Sequence, residues 1–286
     1  PTVSCQGVNT YLSRFDAMAD KAAAQVIAQY STSFSLAVRT LPKPERTHIR
    51  NLYAVVRIAD EIVDGTTAQA NECPETALDL YEEQVLHAPA HRFHTDPVLH
   101  AWARTFRECR LNEDHVRAFF ASMRADLTQT TFTKQELDTY IYGSAEVIGL
   151  MCLDVFLRGR DTPHRSELED GARALGSAFQ KVNFLRDLGE DSRALGRAYF
   201  NAKLDDDLKS TLTSQITDEL DRAHTAIPLL PPAARGGVAA AEALFRELNA
   251  RIAATPAAEL RTTRVSVPNH RKLALTARAL ANARNQ

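Results

Sequence analysis

The sequence lacks the features that are typical of disulfide-rich secreted proteins, of structural zinc sites and of membrane spans. Its four cysteines are scattered, with no C-x-x-C pair, which argues against a disulfide framework or zinc site and predicts free thiols in a reducing compartment. No apolar run reaches the ~18 residues that a membrane span needs. The best run, Val147–Leu157, is interrupted by Asp154. The formal net charge of −2 predicts no basic surface, so no nucleic-acid partner is expected.

The composition of the chain and its N-terminal sequence predict its domain count and its location. A hydrophobic content of 44% and a charged content of 24% are typical of a globular protein with an ample core. No Pro-, Gly- or Ser-rich linker divides the 286 residues, so we predict one domain over residues 1–286. The chain starts at Pro1 rather than Met and shows no signal-peptide pattern. A few native residues are therefore expected to be missing, and a cytoplasmic location is expected.

The periodicity of apolar residues predicts helices along nearly the whole chain. One helix is expected to begin at Pro44 and to end at Gly65, which suits the position after a helix C-terminus. Capping boxes at 133–136 and 166–169 are expected to open two long helices, which run to about residues 159 and 195. Further helices are predicted over 16–30, 74–87, 96–110, 113–127, 205–225, 237–253 and 268–284. The fold class is therefore predicted to be all-α.

An acidic stripe lies on the helix that ends near Gly65. Tyr53, Arg57, Asp60 and Asp64 are spaced at i, i+4, i+7 and i+11, which places them on one face. Two like charges one turn apart destabilise an isolated helix by roughly 0.2–0.5 kcal/mol. A bound divalent cation would offset that cost, although a solvated face with Arg57 paired to a neighbouring acid is the alternative for this helix alone.

A second acidic stripe has the same pattern. Gln180, Asn183, Asp187 and Asp191 are spaced at i, i+3, i+7 and i+11, on a helix whose apolar residues indicate burial. A buried helix tolerates carboxylates when they are paired or coordinate a metal. Oxygen ligands without histidine favour Mg²⁺, which commonly bridges carboxylates to phosphates, over zinc or iron. Two such faces across a cavity would therefore hold Mg²⁺ and a diphosphate.

An apolar helix lies between the two acidic helices in the sequence. Tyr140, Ser144, Val147 and Met151 are spaced at i, i+4, i+7 and i+11 and so share one face. Ordinary core packing explains this pattern for most of the side chains. The alternative interpretation is an elongated apolar tunnel that begins at the metal site and accepts a hydrocarbon tail.

Several motifs together resemble the squalene/phytoene synthase family of head-to-head prenyl transferases. The resemblance extends from about residue 30 to 281 and is most like the bacterial phytoene synthases, which join two C20 geranylgeranyl diphosphates. The order of the two acidic motifs, with an Arg-x-Tyr after the second, is highly specific. The matching segments are residues 30–34, 53–57, 60–64, 123–127, 140–143, 180–191, 196–200 and 264–273.

The resemblance implies a fold and a reaction. The fold would be a single-domain helical bundle of the isoprenoid synthase type with a central cavity. Two geranylgeranyl diphosphates would condense through a cyclopropylcarbinyl (prephytoene) diphosphate to phytoene, in carotenoid biosynthesis. Mg²⁺, with Mn²⁺ as an alternative, would be the cofactor, and no NADPH is expected. Peripheral membrane contact is a further hypothesis, because substrates and product are lipophilic.

The resemblance also implies roles for individual residues. The expected metal ligands are Asp60, Asp64, Asn183, Asp187 and Asp191. The four aspartates would be catalytic through the metal, and Tyr53 and Tyr140 would be catalytic beside the cationic intermediates, where an aromatic face stabilises positive charge. Diphosphate oxygens would be held by Arg57, Arg186, Arg197 and Tyr199. Substrate would further contact Gln180 and a flap formed by Ser31, Ser33 and Phe34.

Three points stay open in the sequence. Glu61 stands where the first motif often has a second aspartate, and metal binding is expected to survive this change. Ser144 and Glu146 stand where the family usually has small apolar residues, which predicts an altered pocket shape. The alternative functions are a squalene or dehydrosqualene synthase acting on C15 farnesyl diphosphate, or a non-catalytic helical assembly factor of the same fold.

Overall fold

The computed structural model describes residues 10–30, 32–194 and 204–283, and the side chains of residues 32, 33 and 189–194 are not part of that description. Within those ranges the chain forms thirteen α-helices and no β-strand, which confirms the predicted all-α class. The helices are α1 Tyr11–Tyr30, α2 Thr32–Arg39, α3 Lys43–Val63, α4 Thr66–Gln69, α5 Pro74–His87, α6 Pro97–Cys109, α7 Glu113–Thr128, α8 Lys134–Ile141, α9 Val147–Leu157, α10 Arg165–Ala194, α11 Asp206–Ala226, α12 Pro232–Ala254 and α13 Asn269–Ala283.

Local signals in the sequence define most helix ends. α3 ends at Val63, and Gly65 follows with φ of 114°, a left-handed conformation that glycine adopts without strain. The capping box before α8 is confirmed, since Thr133 and Glu136 exchange hydrogen bonds of 3.3 and 2.7 Å. The prediction at 166–169 was misplaced, because α10 already begins at Arg165 and Ser166 therefore lies inside its first turn.

The structure departs from the sequence prediction in three elements. The segment between the helices predicted over 16–30 and from Pro44, for which no helix is predicted, contains a short helix, α2. The long helix predicted over 133–159 is divided by a π-helical turn at Tyr142–Glu146. Such turns insert one residue into the helix and are frequent at functional sites. The helix predicted over 237–253 begins earlier, at Pro232, because proline is favoured in a first turn.

Glycines let α9 and α10 approach each other closely. A Cβ atom placed on Gly149 would lie 2.3 Å from the carbonyl oxygen of Ala172, and one on Gly176 would lie 2.4 Å from that of Ala145. Any larger residue would therefore push the two helices apart. The pair forms a thin, tightly packed wall in the middle of the molecule.

Buried apolar side chains form two main groups on either side of a central space. The first group comes mostly from α1, α3, α5–α7 and α9, and includes the fully buried Trp102 and Phe120. The second comes mostly from α10, α11 and α12, and includes Ile216 and Leu220. Helix α9 is so apolar that Lys134–Leu157 has the length and composition of a membrane span, but 67% of its most apolar window is buried inside the fold.

A buried polar network fastens α1 to α3 and α6. Asn51 is fully buried and donates to Asp20 Oδ1 at 3.0 Å and to Thr105 Oγ1 at 3.1 Å. Arg104 donates to both oxygens of Asp20 at 2.5 Å. His48 Nδ1 shares a hydrogen bond of 3.0 Å with Thr105 Oγ1, and burial lowers the pKa of His48. The network holds these helices in register behind the central space.

Candidate active site

A cavity of about 1000 Å³, called here the central cavity, lies between the two groups of core residues. Its walls come from α3, α7, α9, α10, α11 and α12, with the segment before α13 at its mouth. Its volume is at the upper end of the ~300–1,000 Å³ typical of small-molecule sites. The polar residues that line it are Gln29, Arg57, Asp60, Asp64, Asp126, Ser144, Gln180, Asn183, Arg186, Asp187, Arg264, Ser266 and Lys272. The cavity predicted from the sequence is therefore present.

The first acidic stripe lines this cavity as predicted. Tyr53, Arg57, Asp60 and Asp64 all contribute to its wall from α3. The Arg57 guanidinium lies 3.8 Å from the Asp60 carboxylate and forms a short ion pair with Glu61. Arg57 thus lies among three carboxylates at the mouth of the cavity and partly balances their charge.

The Glu61 side chain binds neighbouring side chains and does not line the cavity. Its carboxylate accepts a hydrogen bond of 2.6 Å from Thr66 Oγ1 in addition to the Arg57 contact. Although burial alone would raise its pKa, these hydrogen bonds from Thr66 and Arg57 lower it. An ionised Glu61 therefore serves to position Arg57, which leaves Asp60 and Asp64 to face the cavity.

The second acidic stripe lies across the same cavity on α10. Gln180, Asn183 and Asp187 line the wall opposite α3. Asp187 accepts hydrogen bonds from Arg186 Nε at 2.9 Å and from Arg264 Nε at 2.8 Å. Two guanidinium groups therefore compensate this carboxylate, and both are placed to turn toward an anion in the cavity.

The electrostatics of the mouth favour a cation. Burial raises the pKa of Asp60 to about 8, and the nearby carboxylates of Asp64, Asp126 and Glu61 add to this effect while Arg57 opposes it. The side chain of Asp60 nevertheless keeps 32% of its surface accessible at the cavity. Ionisation of this carboxylate is unfavourable because other acids lie nearby. A divalent cation bound beside it would stabilise the ionised form.

The oxygen ligands that line the cavity suit Mg²⁺ shared with a phosphate group better than a metal whose ligands all come from the protein. Among the residues whose side chains are described, no three acidic, histidine or cysteine side chains gather into a metal site. Mg²⁺ usually keeps several waters and binds through one or two carboxylates together with substrate phosphates. Asp60 and Asp64 on one wall, with Asn183 and Asp187 on the other, suit that arrangement.

Aromatic side chains surround the space next to the acidic residues. Phe34 of α2 stacks on Tyr53 with ring centroids 5.7 Å apart, which covers the cavity from the side where a flap was expected. Burial raises the pKa of Tyr53 to about 12, so its hydroxyl stays protonated. Tyr140 donates a hydrogen bond of 3.0 Å to Asp126 Oδ2 and packs 6.1 Å from the ring of Phe184.

Beyond this polar mouth the cavity is apolar. From α9 it is lined by Ile148, Cys152 and Phe156, and from α10 by Leu168, Ala172, Leu175 and Phe179. Burial raises the pKa of Cys152 to about 12, which keeps its thiol neutral and unreactive. The predicted tunnel interpretation of the apolar helix is supported for Tyr140 and Ser144, which line the cavity. Val147 and Met151 are instead core residues.

Some predicted site residues are placed differently or lie outside the description. Glu146 does not line the cavity: it accepts a hydrogen bond of 2.7 Å from Arg173 Nε, because the π-helical turn rotates it away. The sequence left the effect of Ser144 and Glu146 on the pocket open, and in the structure Ser144 lines the cavity whereas Glu146 does not. The side chains of Ser33 and Asp191 and the whole of Ser31, Arg197 and Tyr199 lie outside the described residues.

Five polar residues of the cavity lining were not predicted as site residues: Gln29, Asp126, Arg264, Ser266 and Lys272. Asp126 lies on α7 and Arg264 lies before α13, and both line the central cavity. Neither belongs to a stripe of repeated spacing, so periodicity gives no signal for them. The only available signal was their occurrence in segments that resemble family motifs, 123–127 and 264–273.

Comparisons of the chain with known proteins agree with this geometry. The squalene/phytoene synthase family model matches residues 27–204. A phytoene synthase of Arthrospira platensis is 36% identical over 186 residues, which cover 61% of this chain and 58% of that protein. A 4,4'-diapophytoene synthase of Staphylococcus haemolyticus is 30% identical over 201 residues, which cover 69% of this chain and 66% of that protein. The chain thus spans less than two thirds of the length of these relatives.

Solved structures show the same fold. A dehydrosqualene synthase in complex with a ligand superposes with a TM-score of 0.78 at 22% identity, covering 96% of this chain and all of the other. A squalene synthase from Alicyclobacillus acidocaldarius superposes with a TM-score of 0.72 at 22% identity, covering 83% and 94%. The helical bundle of the isoprenoid synthase type is therefore confirmed.

Proposed function

This chain belongs to the squalene/phytoene synthase family, and we propose that it condenses two geranylgeranyl diphosphates head to head to give phytoene in carotenoid biosynthesis. One observation carries the proposal: Asp60 of α3 and Asp64 just after it line the same cavity as Asn183 and Asp187 of α10, and this cavity is apolar beyond them. An anionic headgroup and a long hydrocarbon tail are the two parts that such a chamber accommodates. The C20 tail is supported by the 36% identity to a phytoene synthase.

In the proposed reaction, the diphosphate of one substrate leaves and an allylic cation forms. The double bond of the second substrate attacks this cation and gives the cyclopropylcarbinyl diphosphate. A second loss of diphosphate, a rearrangement and the loss of a proton then give the C40 product. Mg²⁺, which Asp60, Asp64, Asn183 and Asp187 would hold, would supply Lewis-acid stabilisation of the charge on the leaving group.

The residues of the cavity have distinct tasks in this scheme. Arg57, Arg186 and Arg264 line the mouth, where their guanidinium groups donate charge-assisted hydrogen bonds to diphosphate oxygens. The rings of Tyr53 and Tyr140 lie beside the space in which positive charge develops. The apolar walls beyond them exclude the water that would quench either cation. We include in the proposal a cytoplasmic location with peripheral membrane contact, since substrates and product are lipophilic.

Product identification tests the substrate. The chain is incubated with Mg²⁺ and radiolabelled C15 or C20 diphosphates, and we expect a C40 hydrocarbon from the C20 substrate without added NADPH. The C15 alternative is favoured by the 30% identity to a 4,4'-diapophytoene synthase. A C30 product alone would establish that alternative and overturn the C20 proposal.

Substitution of the facing aspartates tests catalysis. Asp60→Asn and Asp187→Asn should each lower kcat at least ~100-fold, because each removes charge that positions the leaving group. Asp218→Asn, at an exposed position on α11, is the matched control and should retain activity. Normal turnover by both cavity variants would overturn the assignment of catalysis to this site, whereas the absence of any turnover by the wild type would favour the assembly-factor alternative.

A further inference from the structure

A second cavity, of about 580 Å³, lies on the other side of α9 and α10 from the central cavity. It is enclosed by the end of α6, the start of α7, the outer face of α9 and the first turns of α10. Among the described residues none lines both cavities. The second cavity is therefore a separate space, and nothing in the proposed condensation uses it.

Two arginines at the rim of this cavity have no acidic partner among the described residues. Arg110 lies against the loop between α9 and α10: a Cβ on Gly159 would be 2.8 Å from its Cδ and 3.0 Å from its Nε. Arg160 donates from Nε to the carbonyl oxygen of Leu157 at 3.1 Å, an uncharged acceptor. Both positive charges are thus held beside the cavity without compensation.

Two further polar side chains line the same space, those of Asn112 and His115. The Asn112 side chain uses its oxygen to accept from the Asp114 backbone N–H at 2.9 Å, which leaves its amide NH₂ available to donate. His115 Nδ1 is buried without a hydrogen-bond partner, and burial lowers the pKa of this imidazole. A neutral imidazole can place a proton on Nδ1 and donate it, and a buried polar atom is otherwise costly to leave unpaired.

The other charged side chains of the lining, apart from Asp161, are paired within the protein, with Arg165 shared by two acids. Arg165 donates to the buried Asp154 at 2.7 Å and to Glu169 at 2.5 Å. Arg173 pairs with Glu146, and Asp170 pairs with Arg222 at 3.2 Å. Asp161 is the single acid of the lining that has no cationic partner among the described residues. The lining therefore holds four arginines and four acids, and what it offers an anion is the unpaired guanidinium donors of Arg110 and Arg160 rather than a net positive charge.

We propose that the second cavity binds a small phosphate-bearing anion. Guanidinium groups recognise phosphate oxygens through paired hydrogen bonds, and the amide of Asn112 and the imidazole of His115 would complete the set. The cavity is larger than inorganic phosphate, so the rest of a phosphorylated molecule also has space. The ligand would connect the α6–α7 corner to the loop before α10.

Binding of inorganic phosphate tests this proposal on the full chain. Calorimetric titration in the presence of a chelator, without divalent cations, should give a binding site that the Arg110→Gln/Arg160→Gln variant loses by about tenfold or more in affinity. Arg92→Gln/Arg117→Gln is the control of equal charge change, at exposed positions outside the cavity, and should bind as the wild type does. Equal affinity in all three proteins would overturn the proposal.

Two further variants separate this site from the central cavity and from misfolding. Arg264→Gln should retain the phosphate site, since Arg264 belongs to the central cavity, and loss of the site in this variant would overturn the assignment. Asp161→Asn removes the uncompensated carboxylate and should tighten phosphate binding severalfold. Unchanged affinity in Asp161→Asn would also count against the proposal, even if the double variant failed to fold.

A last comparison distinguishes a free phosphate from a lipid headgroup. Sedimentation with vesicles that contain phosphatidic acid is measured for the wild type and the Arg110→Gln/Arg160→Gln variant. Vesicle binding that the substitutions abolish would identify a headgroup as the source of the anion. Phosphate binding without a difference in vesicle binding would identify a soluble phosphorylated ligand. Failure of the prenyl condensation assay would leave these results unaffected, because the two cavities are separate.

Discussion

Arg264 and Asp187 are joined by a hydrogen bond of 2.8 Å from Nε to Oδ1, which links the segment before α13 to the acidic face of α10. The Arg264 side chain is 56% exposed, whereas that of Asp187 is 17% exposed. The carboxylate is thus fixed and the guanidinium is free to move. Arrival of a cation at Asp187 would release Arg264 to bind the diphosphate.

Arg264→Gln should therefore weaken substrate binding more than it affects folding. We expect KM for the prenyl diphosphate to rise by about tenfold or more, because one charge-assisted hydrogen bond is lost. Steady-state kinetics and thermal melting measure the two effects. Arg271→Gln is the matched control, since Arg271 pairs with Glu247 at 3.3 Å and does not line the cavity. Equal kinetics for both variants would contradict a role for Arg264.

Mg²⁺ binding should depend on pH through Asp60. Its pKa of about 8 means that the cation displaces a proton below that pH. Affinity for Mg²⁺ should rise as the pH increases from about 6.5 to 8 and then level off, with close to one proton released at the acidic end. Calorimetry in buffers of different ionisation enthalpy measures that release. An affinity that stays constant over this range would refute the prediction.

The raised pKa of Asp60 also makes the stability of the cation-free protein depend on pH. The folded state holds the Asp60 proton more tightly than the unfolded state, whose pKa is near 3.8, so this contribution to the free energy of unfolding is lost as the pH rises toward about 8. With chelator present, Asp60→Asn should remove this part of the pH dependence. Chemical denaturation at several pH values provides the measurement.

Gly149→Ala should destabilise the protein by about 1–3 kcal/mol, because the added methyl group would lie 2.3 Å from the Ala172 carbonyl oxygen and force α9 from α10. Gly236→Ala is the control: its methyl group would meet only the mobile end of Leu280, at 2.8 Å. That variant should be neutral or slightly stabilised, since alanine favours a helix. Urea denaturation of both variants distinguishes a close helix contact from a general effect of replacing glycine.

His48 should make stability fall in mild acid. Burial lowers its pKa below 6.5, so its contribution to the free energy of unfolding is present above pH 6.5 and is lost as the pH falls through the folded-state pKa. Melting temperatures measured between about pH 5 and 7.5 should fall more steeply for the wild type than for His48→Gln. His87→Gln, at an exposed position, should follow the wild type. Parallel curves for all three proteins would refute this role.

The sequence was sufficient for most of the helices and for the described members of both acidic stripes, because these features depend on residues close together in the chain. The spacing of Asp60 and Asp64 fixes their common face wherever the helix packs. The π-helical turn at Tyr142–Glu146 was not predictable in this way, because it depends on the approach of α7 to Gly143. The sequence therefore left open that Ser144 on this turn lines the cavity while Glu146 pairs with Arg173.

Periodic sequence patterns also could not predict the residues that distant segments bring to the cavity. Arg264 is separated from Asp187 by 77 positions, and Asp126 is brought to the mouth by the packing of α7. Uncompensated arginines at 110 and 160 look like ordinary surface charge until the loop before α10 brings them together. Such relations come from tertiary packing and have no period in the sequence.

The closeness of α9 and α10 restricts which substitutions this protein can accept in the two helices. Cys152 faces the central cavity and Asp154, two residues later, faces the second cavity, so a single pair of helices separates them. A bulkier side chain that shortens the central cavity could not be accommodated by a shift between α9 and α10. It would instead displace the polar groups of the second cavity. Evolution of a new tail length would therefore tend to alter both spaces at once, and insertions or deletions in these two helices should be strongly selected against.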